Sequence, residues 1–249
     1  MVTIAGYGAE CHRVDVAGQH VDLWRVADLE RHVDRTALLG AEDPPEPPYW
    51  AHLWSGALVL AAAIPEGARS VIELGCGLGL PGLVAACRGA RVTFVDRVSA
   101  ALAFTRASAR LNRVTGVDFV AADCTTPALA ARFDLVLAAE LLYDRRAFPG
   151  IARALARLLA AGGRALLTDA RRIDTGEFYE VLETAGLTWQ ATDHPVREEG
   201  LPLTIRLIEI TARGEPPPDR GGGAGGATDE RGPGESPSRR NPRTSQRRA

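Results

Sequence analysis

Apolar side chains fall into two regimes along this chain. Between residues 12 and 26, HRVDVAGQHVDLWRV, apolar and polar positions alternate on either side of Ala17-Gly18-Gln19, the period-two pattern of a two-stranded hairpin. From Ser70 onward the pattern becomes short continuous apolar runs at 70–74, 91–95, 117–121, 133–138 and 164–168. Runs without alternation, such as VIEL, VTFV, FDLVLA and RALLT, belong to strands covered on both faces. Helical stretches near 80–88, 98–112 and 145–160 separate them, so the chain is expected to form a right-handed βαβ series. A further helix near 175–185 precedes two last runs, Leu187 to Thr192 and Leu203 to Thr211. The polar loop between these, with Gly200 and Pro202, is too short for a crossover helix and predicts an antiparallel pair.

The segments around this series are read from their breakers. Ala27 to Leu39 is weakly amphipathic and predicts a short helix. The four prolines of DPPEPP, within Gly40 to Pro48, forbid regular structure and deliver Tyr49, Trp50, His52 and Trp54 to the next element. Ser55 is placed to cap a helix through GALVLAAAI that stops at Pro65. From Gly214 onward the chain has no Leu, Ile, Val, Phe, Tyr or Trp to bury, which predicts disorder. Three parts follow: 1–47, a hairpin, helix and proline-rich loop; 48–213, the α/β domain; and 214–249, a disordered tail.

Composition narrows the classes. A hydrophobic content of 46% supports a large core, and the net charge of −2 includes a tail with seven Arg against five acidic residues. The remainder is therefore more acidic than the total, with no basic face for nucleic acid. Cys11, Cys76, Cys87 and Cys124 are widely separated and form no CxxC pair, so neither a metal site nor a disulfide framework is expected. With no apolar run long enough to span a bilayer, no membrane partner is expected and a reduced cytoplasm is the expected location. All 29 basic residues are Arg, so the chain offers no lysine of its own.

The densest signal is VIELGCGLGLPG at 71–82, an apolar run that ends in a glycine-rich turn. Two readings compete. Gly77-Leu78-Gly79-Leu80-Pro81-Gly82 matches a dinucleotide fingerprint, with Asp96 for the ribose. Alternatively the unit begins at Glu73 and runs Gly75, Cys76, Gly77, Leu78, Gly79. The second register fits better, because Gly75 is the first glycine after the strand and Glu73 can face an ammonium group that a pyrophosphate lacks.

With ELGCGLG, the Asp96 after VTFV, Ala121-Ala122-Asp123 after the third run and the late antiparallel pair, residues 45 to 212 resemble the seven-stranded class I methyltransferases. PYWAHLWSGALVLA at 48–61 and the acidic-x-x-Tyr motif Glu140-Leu141-Leu142-Tyr143 narrow the resemblance to the protein lysine methyltransferases that modify single partner proteins. Most members of that family carry Asp where this chain has Glu140. The resemblance implies a Rossmann-like seven-stranded sheet, mostly parallel with a C-terminal antiparallel pair, beneath an N-terminal hairpin-helix lid. It implies S-adenosylmethionine as cofactor, with Gly75, Gly77 and Gly79 against its methionine half, Glu73 and Cys76 in the same turn, and Asp96 on the ribose hydroxyls. Asp123 is then expected at the adenine amino group, Cys124 beside the ring, and Ala139 and Trp54 along the wall with Trp50. Glu140 and Tyr143 are expected to orient an incoming lysine amine, and that lysine must come from a protein partner. The other readings kept open are a small-molecule N-methyltransferase acting on a nicotinamide-like amine, an NAD-dependent oxidoreductase and a non-catalytic binding module. Trp50, Trp54 and Tyr143 also suit plain packing roles, and Arg171-Arg172, just after the fifth run, reads as a solvated loop pair, with an acidic partner as the other reading.

Overall fold

The computed structural model describes residues 2–33, 47–127, 129–198 and 200–214. Two sheets organise them. The first is small and antiparallel: β1 (Val2–Ile4), β2 (Tyr7–Val16) and β3 (Gln19–Val26), in that order. The hairpin turns at Ala17-Gly18 as its alternation requires, with Val16 opposite Gln19. The strand β1 carries only three residues, too few for alternation to reveal it.

The second sheet holds β4 (Ser70–Leu74), β5 (Arg91–Asp96), β6 (Val117–Ala121), β7 (Phe133–Ala139), β8 (Leu159–Asp169), β9 (Leu187–Glu198) and β10 (Leu201–Ala212). Their order is β6-β5-β4-β7-β8-β10-β9. Pairing is parallel from β6 to β8 and antiparallel on both sides of β10, as the spacing of the two late runs predicts. The order reverses direction between β4 and β7, which places the crevice for a ligand outside the carboxyl ends of these strands.

Helices α1 (Ser55–Ala62), α2 (Leu80–Cys87) and α3 (Ser99–Leu111) contribute Leu60, Leu83 and Leu102 to the core on one face of this sheet. On the other face lie α4 (Phe148–Leu158) and α5 (Gly176–Thr184), which bury Ile151, Leu155, Phe178 and Leu182. Helix α4 shows why such segments fold as they do: Phe148, Ile151, Ala152, Leu155 and Leu158 recur at helical spacing and are buried, while Arg153 and Arg157 point outward. Each fully buried Leu, Ile or Phe contributes about 1.5–3 kcal/mol. The small sheet joins the first core through Val21 and Leu23, both fully buried, and a third cluster sets Ala9 and Val26 against Leu78 and Phe104.

Several boundaries depart from the pattern. Of the helix expected over 27–39, the described part forms a single 3-10 turn at Leu29–His32 that buries no residue. Two of the four prolines of DPPEPP, Pro44 and Pro45, lie outside the described residues, as does the tail expected to be disordered from Gly214, of which only Gly214 itself is described. Ser55 is the first helical residue of α1 and not its cap; Trp54 holds the extended N-cap position, and the Ser55 N–H donates to Glu198 Oε1 at 3.4 Å. Strand β8 begins at Leu159, so the helix expected to reach 160 ends earlier. Arg206 of β10 is opposite Asp169, the last residue of β8. Residues 201–205 and their β9 partners therefore overhang the carboxyl edge of the sheet by about 17 Å at ~3.4 Å per residue. Among the described residues no helix is long and apolar enough to cross a membrane.

Candidate functional site

The site is built from the carboxyl ends of β4, β5, β7 and β8. After Leu74 the backbone turns through Gly75, Gly77 and Gly79, each with positive φ. Two of these positions demonstrably require glycine. A Cβ on Gly77 would stand 2.9 Å from the Trp50 carbonyl oxygen, and one on Gly79 would stand 2.4 Å from Thr105 Cγ2. Asp96, at the end of β5, fixes the turn from the side: its Oδ2 accepts from the Gly77 N–H at 2.9 Å and its Oδ1 from the Val98 N–H at 2.8 Å. The side chain is buried, which raises its pKa, and these N–H donors oppose the rise. A carboxylate with one donor on each oxygen retains capacity for further donors.

Glu73 lies beneath the turn. Its Oε2 accepts from the Gly82 N–H at 2.8 Å, and burial pushes its pKa up to about 8. It still reaches the floor of a cavity of about 600 Å³ that runs from the glycine turn toward the ends of β7 and β8. Cys76, Cys124 and Ala139 also line this cavity, and burial raises the Cys124 thiol to about 11, far from a nucleophile's range. Trp50 borders the space while packing on Phe104 at 5.4 Å and Tyr7 at 5.5 Å, so its wall and packing roles coincide.

Asp123 is the one expected site residue off the cavity wall. Its exposed Oδ1 accepts from both the Thr125 N–H and hydroxyl at 2.7 Å, and these bonds hold its carboxyl below the usual range. Asp and Thr two residues apart close a local turn this way, which explains why a carboxylate after the third strand need not face the crevice.

At the other end of the cavity, Glu140 follows β7 with φ +55, an uncommon conformation for a residue with a side chain. Its N–H donates to the Thr168 carbonyl at 2.9 Å and its Oε2 accepts from the Ala170 N–H at 3.2 Å. The other oxygen, Oε1, is buried and has no hydrogen-bond partner among the described residues. Burial raises the Glu140 carboxyl to about 7, against the opposing pull of Arg172. Trp54 forms the neighbouring wall, with its indole N–H donating to the Tyr49 carbonyl at 3.0 Å. Tyr143, 52% exposed, lies at the mouth with its ring 6.4 Å from that of Tyr49.

Three participants are not singled out by sequence motifs. Gly56 on α1 lets Glu140 pack close, because a Cβ there would meet Glu140 Oε1 at 2.4 Å. Glu198, from the overhanging hairpin, bonds Arg172 at 3.2 Å. Arg172 does not extend into solvent as a loop pair suggests; it folds back over Trp54 with its guanidinium carbon 4.7 Å from the ring centre. The only sequence signal for it is its place just after the fifth run.

Solved structures with the same arrangement include a TehB-like SAM-dependent methyltransferase from Corynebacterium glutamicum, with TM-score 0.52 and 21% identity over 65% of this chain and 89% of that one. Another is the 16S rRNA N2 G1207 methyltransferase RsmC of T. thermophilus, with TM-score 0.58 and 17% identity over 82% of this chain and 50% of that one. The fold is that of a class I methyltransferase. Residues 71–163, from β4 into β8, match the family described as a methyltransferase domain. Curated relatives named protein N-lysine methyltransferase METTL21A are similar to this chain in sequence. The Danio rerio protein is 31% identical over 51% of this chain and 63% of its own length, and the Xenopus tropicalis protein 33% over 53% and 66%. The chain thus spans slightly less than two thirds of these relatives.

Proposed function

We propose that this chain transfers a methyl group from S-adenosylmethionine to the ε-amine of a lysine on a partner protein. The observation that carries the reading is the Glu140 carboxyl: it lines one cavity with Trp54 and Asp96, and its buried Oε1, packed against Gly56, has no partner among the described residues. An ammonium group is the natural complement to such an oxygen. The residues at the other end fit the cofactor. Asp96 has acceptor capacity for ribose hydroxyls, the glycine-rich turn allows close backbone approach, and Cys124 lines the same cavity, where it would stand beside the adenine. The bonds to Thr125 engage only Oδ1 of Asp123, so its Oδ2 would be the atom to take the adenine amino group.

Bound S-adenosylmethionine supplies an electrophilic methyl on a sulfonium. The chain's residues align the acceptor and exclude water. Glu140 and the Trp54 ring receive the lysine ammonium, which must pass a proton to solvent at the open mouth before its nitrogen can attack. Glu140 and the Trp54 wall would hold the neutral nitrogen in line with that methyl, and the sulfur would keep the electron pair of the bond it loses. A protein acceptor is favoured over a free small molecule by the half-exposed Tyr49 and Tyr143 at the mouth, which leave the slot approachable from a surface. The names of the METTL21A relatives support the same reading. A reduced, cytoplasmic setting suits the free cysteines.

The test is incubation of the chain with labelled S-adenosylmethionine and lysate from cells that lack it, followed by size separation. A discrete labelled protein band, with the label on lysine after hydrolysis, is the expected result. Because the chain contains no Lys, lysine label cannot arise from self-modification. Label confined to the small-molecule fraction would overturn the protein-lysine reading in favour of a small amine acceptor.

A further inference from the structure

The acceptor end already contains a cation. Arg172 lays its guanidinium 4.7 Å over the Trp54 ring, donates from Nη2 to Glu198 Oε2 at 3.2 Å, and brings Nε to 3.9 Å from Glu140 Oε2. An aromatic face and two carboxylates are the partners an alkylammonium would use. Yet the fit is incomplete. The 3.9 Å approach is too long for a hydrogen bond, and Glu140 Oε1 is left unsatisfied behind it. The Arg172 side chain is 43% exposed, so it is held by contacts of surface strength and has solvent to swing into. Glu198, by contrast, is anchored by the Ser55 N–H and is more buried, with a side-chain exposure of 23%. It can retain the guanidinium while the ring face is vacated. Asp169, buried against Thr175 and the Arg171 N–H, adds a further negative charge behind Glu140.

We propose that Arg172 is a displaceable occupant of the acceptor slot, filling the space over Trp54 between Glu140 and Glu198 until an incoming primary ammonium moves it aside. It acts as a specificity-determining residue. A tethered guanidinium competes at high effective concentration, so a free amine gains little by entering, whereas a lysine delivered with additional surface contacts displaces it. The proposal rests on the lysine reading above, which identifies the slot.

The experiment uses the full chain with S-adenosylhomocysteine present and butylammonium as the probe, with binding followed by ligand-observed NMR. Arg172→Gln is expected to bind butylammonium about tenfold more tightly than the native chain, in line with removal of a competing cation–π and carboxylate contact. Arg172→Lys, which keeps a tethered cation, should stay near the native value, and adding Glu140→Gln to Arg172→Gln should abolish the gain. Equal affinity in the native chain and Arg172→Gln, or equal gains in Arg172→Gln and Arg172→Lys, would overturn the proposal. Butylammonium binding requires no methyl transfer, so the two readings separate. Gain in Arg172→Gln without any labelled protein band would remove the lysine acceptor and keep the occupant, and a labelled band without gain would do the reverse.

Discussion

A single carboxylate, Glu140, decides what the cavity can accept. Burial holds it near pH 7, so it is protonated below that value and charged above it. If the charged form receives the acceptor ammonium, kcat/KM should rise with pH through about 7 and level off on this limb. Glu140→Gln should lower turnover by roughly 100-fold or more and remove that limb, while cofactor affinity measured by calorimetry stays close to native. A pH profile unchanged in the variant would exclude the role. The sequence exposes Glu140 because an acidic residue directly after LVLAA stands at a strand's carboxyl end. It does not expose the φ of +55 or the dependence on Gly56, because the approach of α1 to the end of β7 is set by tertiary packing between distant segments. Arg172 was illegible for a related reason: its partners come from three other elements. Asp123 shows a local bond the motif does not announce, its Oδ1 accepting from both the N–H and the hydroxyl of Thr125.

The turn and α2 act as one element, and the fourth glycine of that element, Gly82, tests its packing. A Cβ there would stand 2.4 Å from Phe94 Cε1 and 2.6 Å from Glu73 Oε2. Phe94 has no room to yield, being fully buried and stacked on Phe119 at 5.3 Å. Gly82→Ala should therefore cost about 1–3 kcal/mol, seen as a lowered thermal midpoint, and a midpoint equal to native would show that the helix can shift at little cost. At this scale legibility followed burial. Strands β4, β5 and β7 announce themselves because both faces are covered and the apolar runs are continuous. Strand β9 reads only in part, since TWQATDHPVRE is exposed along most of its length and has no apolar period to find. The start of β8, LAAGG, carries helix-compatible alanines and was claimed by the preceding helix pattern.

For the whole molecule, the raised carboxyls set a pH dependence of stability, with Glu73 and Glu140 shifted furthest beside a smaller rise at Asp96. Glu73 at about 8 and Glu140 at about 7 keep their protons in the folded chain where an unfolded chain, near 4.5, has lost them. Their contribution is complete below about pH 4.5 and is lost as pH rises, through about 7 for Glu140 and about 8 for Glu73. The urea midpoint should fall between pH 5 and pH 9. Glu73→Gln, whose amide oxygen still accepts from Gly82, should flatten most of that decline, and an unaltered slope would assign the effect elsewhere. The alternation of runs and helices made the sheet legible, but not the way Val21 and Leu23 of the small sheet complete its core, because a hairpin's alternation says which face is apolar and not what covers it. The overhang of β9 and β10 has one more consequence. Alternate residues of a strand face opposite sides, so adding one uncharged residue between Asp193 and Arg197 would carry Glu198 to the far side and put Arg197 opposite Arg172. In this hairpin a neutral insertion is equivalent to a reversal of charge.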